Sequence, residues 1–83
     1  QWTVLADAPA DLGNTIGMGD FDGKIWVATR NGFLHLFDPG PGTWRAPLAT
    51  PVGAVAVGTT TGRTFALVQN NDTLEVHELL AIE

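Results

Sequence analysis

Apolar positions in this chain come in short runs closed off by turn residues. Lys24-Ile-Trp-Val-Ala-Thr-Arg30 lies between Asp22-Gly23 and Asn31-Gly32, and Phe33-Leu-His-Leu-Phe-Asp38 lies between Asn31-Gly32 and Pro39-Gly-Pro-Gly42. Runs of β-branched and aromatic residues bounded by Gly, Asn, Asp and Pro are the signature of strands joined by tight turns. The pattern predicts strands over 15–18, 24–30, 33–38, 43–49, 52–57, 63–69 and 73–79. Asn31-Gly32 is predicted as a two-residue hairpin turn, because that pair tolerates positive φ. No segment keeps an apolar 3.6-residue period for three turns. The tail 77–83 is ambiguous, since its helix-forming residues continue a strand-like run. Within 24–30, Ile25, Val27 and Thr29 point one way and Trp26 and Ala28 the other, so both faces are largely apolar. Such a strand needs cover on both sides.

Self-similarity organises these strands. Trp2 and Pro9 match Trp44 and Pro51, Asp22-Gly23 with its following strand matches Thr61-Gly62 with its own, and the run from Asn31 matches that from Asn71. The offsets fall near forty residues, the period of four-stranded β-propeller blades. The predicted fold is therefore all-β: two four-stranded antiparallel propeller blades, part of a larger or oligomer-assembled propeller. Residues 10–51 form the first blade and 52–83 a second blade without its outer strand. Residues 1–9 supply an outer strand that completes a blade by strand exchange, because two blades cannot close a ring.

Bulk properties narrow the function. The chain has 83 residues and a net charge of -5, and its basic residues Lys24, Arg30, Arg45 and Arg63 are scattered. Nucleic acid is a poor partner for such a surface. No apolar run reaches the length of a membrane span, so membrane insertion is not expected. Cys, Ser and Tyr are all absent, which removes the commonest side-chain nucleophiles and points away from an enzyme. Cysteine also gives no reading of compartment, and localisation stays open.

The segment from Asp22 to Trp44 resembles the propeller repeats of two-component regulator sensor domains. The resemblance rests on the Asp22-Gly23 turn, Ile25-Trp-Val-Ala-Thr29, Asn31-Gly32, and Leu36-Phe-Asp-Pro39 leading to Gly42-Thr-Trp44. It covers about thirty residues well and the second copy loosely. It implies a propeller fold with ligand or partner recognition, and no shared catalytic residues.

The candidate binding residues are Trp2 and Trp44, which occupy equivalent fourth-strand positions, with Arg30 and Arg45 as the nearest donors. An aromatic repeated once per blade suits stacking on sugars; packing of blade against blade is the competing role. Trp26 is assigned to the core. Asp20 and Asp22 resemble the start of a propeller calcium loop, but Lys24 stands where another oxygen ligand is needed, so a solvated turn is expected. His35 and His77, near Asp38, Glu75 and Glu78, lack a third ligand at metal-binding spacing, and no metal or cofactor is assigned. The resulting expectation is a non-enzymatic binding or scaffold module that assembles with itself or with neighbouring blades, with a glycan as one candidate ligand. A structural component of a virion or large assembly is the second reading, and a fragment of a propeller enzyme or sensor the third.

Overall fold

The computed structural model describes residues 1–5, 7, 8 and 14–81. Its regular structure is entirely β, so no helix among the described residues is long and apolar enough to cross a membrane. Eight strands follow in chain order: β1 (Thr15–Phe21), β2 (Lys24–Thr29), β3 (Phe33–Asp38), β4 (Thr43–Trp44), β5 (Leu48–Ala49), β6 (Ala54–Thr60), β7 (Arg63–Asn70) and β8 (Thr73–Leu79). They build two antiparallel sheets, and neither closes on itself. The first has the order β1-β2-β3-β4 with β5 also pairing β3, and the second has the order β6-β7-β8.

Turn chemistry sets the strand ends. The β1–β2 and β6–β7 links are two-residue turns with positive φ at both positions, 53° and 76° at Asp22-Gly23 and 50° and 75° at Thr61-Gly62. Such turns match the twist of the strands they join, so β1 and β6 run on to Phe21 and Thr60, past the predicted ends at 18 and 57. The β2–β3 link differs from its predicted form. Its loop is Arg30-Asn31-Gly32, with positive φ at Gly32 alone and the Gly32 N–H donating to the Thr29 carbonyl at 3.2 Å. It is a three-residue loop ending in a left-handed glycine, not a two-residue Asn-Gly turn. The predicted fourth strand 43–49 is likewise split into β4 and β5, because Pro47 has no N–H to give to a ladder. The ambiguous tail stays in strand through Leu79, while residues 82–83 lie outside the described residues.

Thr61 is the one β-branched residue among the described residues with positive φ. Asparagine visits that conformation far more readily, so Thr61→Asn is expected to stabilise the fold by about 1 kcal/mol. A raised urea midpoint with unchanged slope is the expected reading.

The repeat is visible in the hydrogen bonding. Ile16 bulges out of β1 and Val55 out of β6, each the extra residue in its pairing register. The Arg30 N–H donates to the Asn14 carbonyl at 2.8 Å, and the Gln69 N–H to the Gly53 carbonyl at 3.0 Å. These pairs all obey an offset of 39. The third strands do not keep the sequence offset of 40. His35 pairs Val27 and His77 pairs Ala66, so the ladder offset there is 42. The second hairpin projects further, with Asn70 opposite Thr73, before it turns.

The two sheets meet face to face through β1 and β6. Trp26, Ala28, Leu34 and Leu36 of the first sheet pack on Val57, Ala66 and Val68 of the second, and all seven are buried. A side chain on Gly17 would run into the Val57 carbonyl, and one on Gly19 would come within 2.7 Å of the Trp26 ring. Only glycines let the inner strands approach this closely. The Thr59 and Thr64 hydroxyls, 3.1 Å apart, both lie within 3.5 Å of the Asp20 carbonyl and tie the sheets together at the rim. The expectation that β2 is covered on both sides holds on one side only. The face of Ile25 and Val27 is half-buried and is bordered by Val4 and Leu5.

Candidate functional site

The stacking order of the sheets exposes what the molecule leaves unfilled. Side chains alternate across each ladder, so the register assigns every strand residue to a face. By the repeat, Phe65, Leu67 and Val76 on the outer face of the second sheet are the counterparts of Trp26, Ala28 and Leu34. In the first sheet this face is buried under the second. In the second sheet it is open, with Val76 70% exposed and Leu67 36% exposed. At the opposite end of the stack, Met18, Ile25 and Val27 are the counterparts of Val57, Thr64 and Ala66, which are all buried. Met18 is 68% exposed, and a groove of about 240 Å³ runs beside it, lined by Ile25, Val27, Phe37, Trp44, Val4 and Leu5. The described residues therefore form one filled junction and two open halves of the same kind.

A further opening lies at the outer edge of the junction. β3 is covered by β4 and β5, whereas β8 pairs only β7 among the described residues. A cavity of about 330 Å³ opens between the sheets there, bordered by Leu34 and Leu48 on one side and Thr64, His77 and Leu79 on the other. Its wall includes Thr50, whose buried hydroxyl has no hydrogen-bond partner.

The predicted site residues are dispersed. Trp44 lies half-buried against Phe37, ring centres 5.1 Å apart, and its indole N–H donates to the Asp7 carbonyl at 2.8 Å. Trp2 is 99% exposed. Arg45 is exposed, its backbone N–H donating to the Leu36 carbonyl at 2.8 Å. Arg30 follows β2 at the end remote from Trp44, whose partner Phe37 sits opposite Ile25. That separates it from the Trp44 rung by about 16 Å at ordinary strand rise. The structure thus groups Trp44 with apolar neighbours and leaves Arg30 apart. The Trp44 groove offers apolar contact, whereas a sugar site also needs several hydrogen-bonding groups beside the ring. Residues 1–5, 7 and 8 carry no ladder pairing and run past Trp44; the proposed boundary between 9 and 10 lies outside the described residues.

His35 and His77 share one ladder position but not one environment. His35 is buried with Nε2 unpartnered, and Phe33 is its aromatic neighbour, ring centres 6.2 Å apart. His77 is exposed and lies 2.9 Å from Glu75. Among the described residues no three His, Asp or Glu side chains gather into a metal-binding group. Asp22 occupies the left-handed turn before β2.

Electrostatics at the open face centre on one ion pair. Arg63 grips Glu78 with two hydrogen bonds of 2.8 Å, and its guanidinium sits 5.0 Å from the centre of the Phe65 ring. The hydrogen bond from Arg63, ahead of its charge, holds the Glu78 carboxyl below the usual range even against some desolvation. The same bond and charge raise Arg63 further. Because the folded-state value of Glu78 is depressed, its contribution is present above the ordinary glutamate range and disappears as pH falls through the depressed value. In an NMR titration Glu78 is expected to show a midpoint below that of an ordinary glutamate, moving up to it in Arg63→Gln. An unmoved midpoint would show that the pair does not persist in solution.

Sequence reasoning missed the open face. Phe65 and Leu67 were readable from the offset of 39, but Val76 was hidden because an offset of 40 matches it with Leu36 instead of Leu34. Comparison with family models, with characterised proteins and with solved structures finds no match to this chain.

Proposed function

We propose that this chain is a non-enzymatic binding or scaffold module of the β-propeller kind, which works by assembling with copies of itself or with further blades. The observation that carries this reading is the pairing of an incomplete sheet with a spare segment. Among the described residues β8 pairs only β7 where β3 also carries β4 and β5, while Trp2 stands almost wholly in water. A strand edge with unpaired backbone groups is a template for another strand. Trp2 has the spacing to Pro9 that Trp44 has to Pro51, and Trp44 pairs Phe37 in the first sheet. Laid on β8 in the same register, Trp2 falls opposite Leu79, the ladder counterpart of Phe37. The forty-residue repeat, the small residues of the inner strands and the resemblance to regulator propeller repeats support the same reading.

Trp2→Ala tests it. The substitution removes no buried contact of the single chain, so circular dichroism and melting at high dilution are expected to stay unchanged. Sedimentation is expected to show self-association weakened at least about tenfold, as for an aromatic anchor lost from an interface. Association equal to that of the parent chain would count against the exchange.

The carbohydrate-binding form of the proposal draws on Trp2, Trp44 and the exposed Arg45, since Arg30 is remote from Trp44. Retention on a glycan panel that vanishes in Trp44→Ala would support it. A structural role in a virion or other large assembly is the form favoured by the apolar character of the open surfaces.

A further inference from the structure

We infer that the Phe65, Leu67 and Val76 face receives the Met18, Ile25 and Val27 face of a second copy of this chain, so that copies stack head to tail. The inference rests on the assembly reading above and specifies its surfaces. The internal junction supplies the geometry. There the Trp26, Ala28 and Leu34 face sits on Val57, Thr64 and Ala66, and the offsets of 39 and 42 convert each of these residues into its counterpart on an open face. The two open faces are the counterparts of the two faces of that junction, except that Ala56 stands where Gly17 does, so copies must sit further apart at that point than β1 and β6 do.

Three observations agree with a second copy as the occupant. First, one of the two close-approach glycines recurs. Gly19 is hemmed in by the second sheet, with the Thr59 hydroxyl 2.5 Å from where its side chain would begin, whereas its counterpart Gly58 has nothing within 4 Å. Asp20 of the incoming copy is the counterpart of Thr59 and would fill that space. Second, both open faces are largely apolar; two charges differ from the internal junction, Glu78 in place of Leu36, which is paired with Arg63, and Asp20 in place of Thr59.

Third, connectivity agrees with strand exchange. In the chain, β4 and β5 cover β3 and lead directly into β6 of the sheet stacked beside it. A 1–7 segment laid on β8 would likewise lead into β1 of the copy whose Met18 face covers Phe65. Strand exchange and face stacking thus join the same two copies in the same order. Two different faces meet, so the contact is heterologous: it closes into a ring or continues as a filament, and does not stop at a symmetric pair.

Cysteine pairing tests the inference, since the chain has no cysteine of its own. The Val57 Cα lies 3.2 Å from the side-chain position of Gly17, and the corresponding residues across the proposed contact are Met18 and Ala56. These positions mark the closest approach in the internal junction, so a cysteine pair there reports on contact between the two faces. Under mild oxidation an equal mixture of Met18→Cys and Ala56→Cys chains is expected to give linked dimers of one of each, and neither chain alone is expected to link. Gly58→Val adds a second readout. It has room in the single chain and should leave melting at high dilution unchanged or raised, while weakening association at least tenfold.

Chains that link to their own kind, or an oligomer that neither links nor responds to Gly58→Val, would overturn the head-to-tail contact and leave assembly standing. A monomer at every concentration would overturn both.

Discussion

Trp26→Ala is expected to cost about 3–5 kcal/mol, a large share of the stability of so small a chain. Trp26 is fully buried at the centre of the junction and is the largest side chain there. Its removal empties the space between the two sheets, and the rigid backbone contact at Gly17 prevents the sheets from collapsing to refill it. A small domain has only about 5–15 kcal/mol of stability in all, so the loss is decisive. Among the described residues the indole N–H has no hydrogen-bond partner. Trp26→Phe should therefore lose only packing and retain most of the stability. Urea unfolding followed by circular dichroism reads both variants. A Trp26→Ala chain that unfolds near the parent midpoint would mean that the two sheets do not share a core.

Gly17→Ala is expected to be nearly as damaging, at about 3 kcal/mol, the upper end of overpacking costs. The added methyl would meet the carbonyl of Val57, which is backbone and cannot swing aside. The inner strands must separate, which loosens Trp26 and pulls the Thr59 and Thr64 hydroxyls from the Asp20 carbonyl. Gly40→Ala provides the contrast, since nothing lies within 4 Å of that position. It is expected to change stability by less than about 0.5 kcal/mol, as surface substitutions usually do. Equal melting temperatures for the Gly17 and Gly40 variants would show that the sheets do not approach as closely as β1 and β6 do here.

The strands were legible because their signals are local. Phe33 to Asp38 and Thr73 to Leu79 stand where turn residues and β-branched runs place them. Trp26 was readable as core from the alternation of β2 alone. Errors arose where one residue outweighed a pattern. Pro47 breaks the fourth strand, and the glycine of Asn31-Gly32 takes the last place of a three-residue loop. The third-strand offset was misjudged because a shift of two residues keeps every side chain on its own face, so hydrophobic alternation cannot detect it. Only the ladder shows that His77 stands where His35 does.

The surfaces proposed to carry assembly were the least legible. Phe65, Leu67 and Val76 have the composition of an ordinary strand core, and their exposure depends on what the rest of the chain fails to cover. The ties between Thr59, Thr64 and Asp20 join residues up to 44 positions apart and leave no trace in local sequence. Trp2 and Trp44 were picked out as a repeated pair, yet their settings differ: one is solvated and the other leans on Phe37.

The solution mass of the full chain, measured by light scattering over a wide dilution series, decides whether the open faces and the spare segment have a use. A mass that holds at a fixed multiple of the single chain, three or four copies for a ring of six or eight blades, is the expected result. A folded chain that stays at the mass of one copy throughout would show that both faces and the β8 edge are stable in water, and the assembly reading would fall.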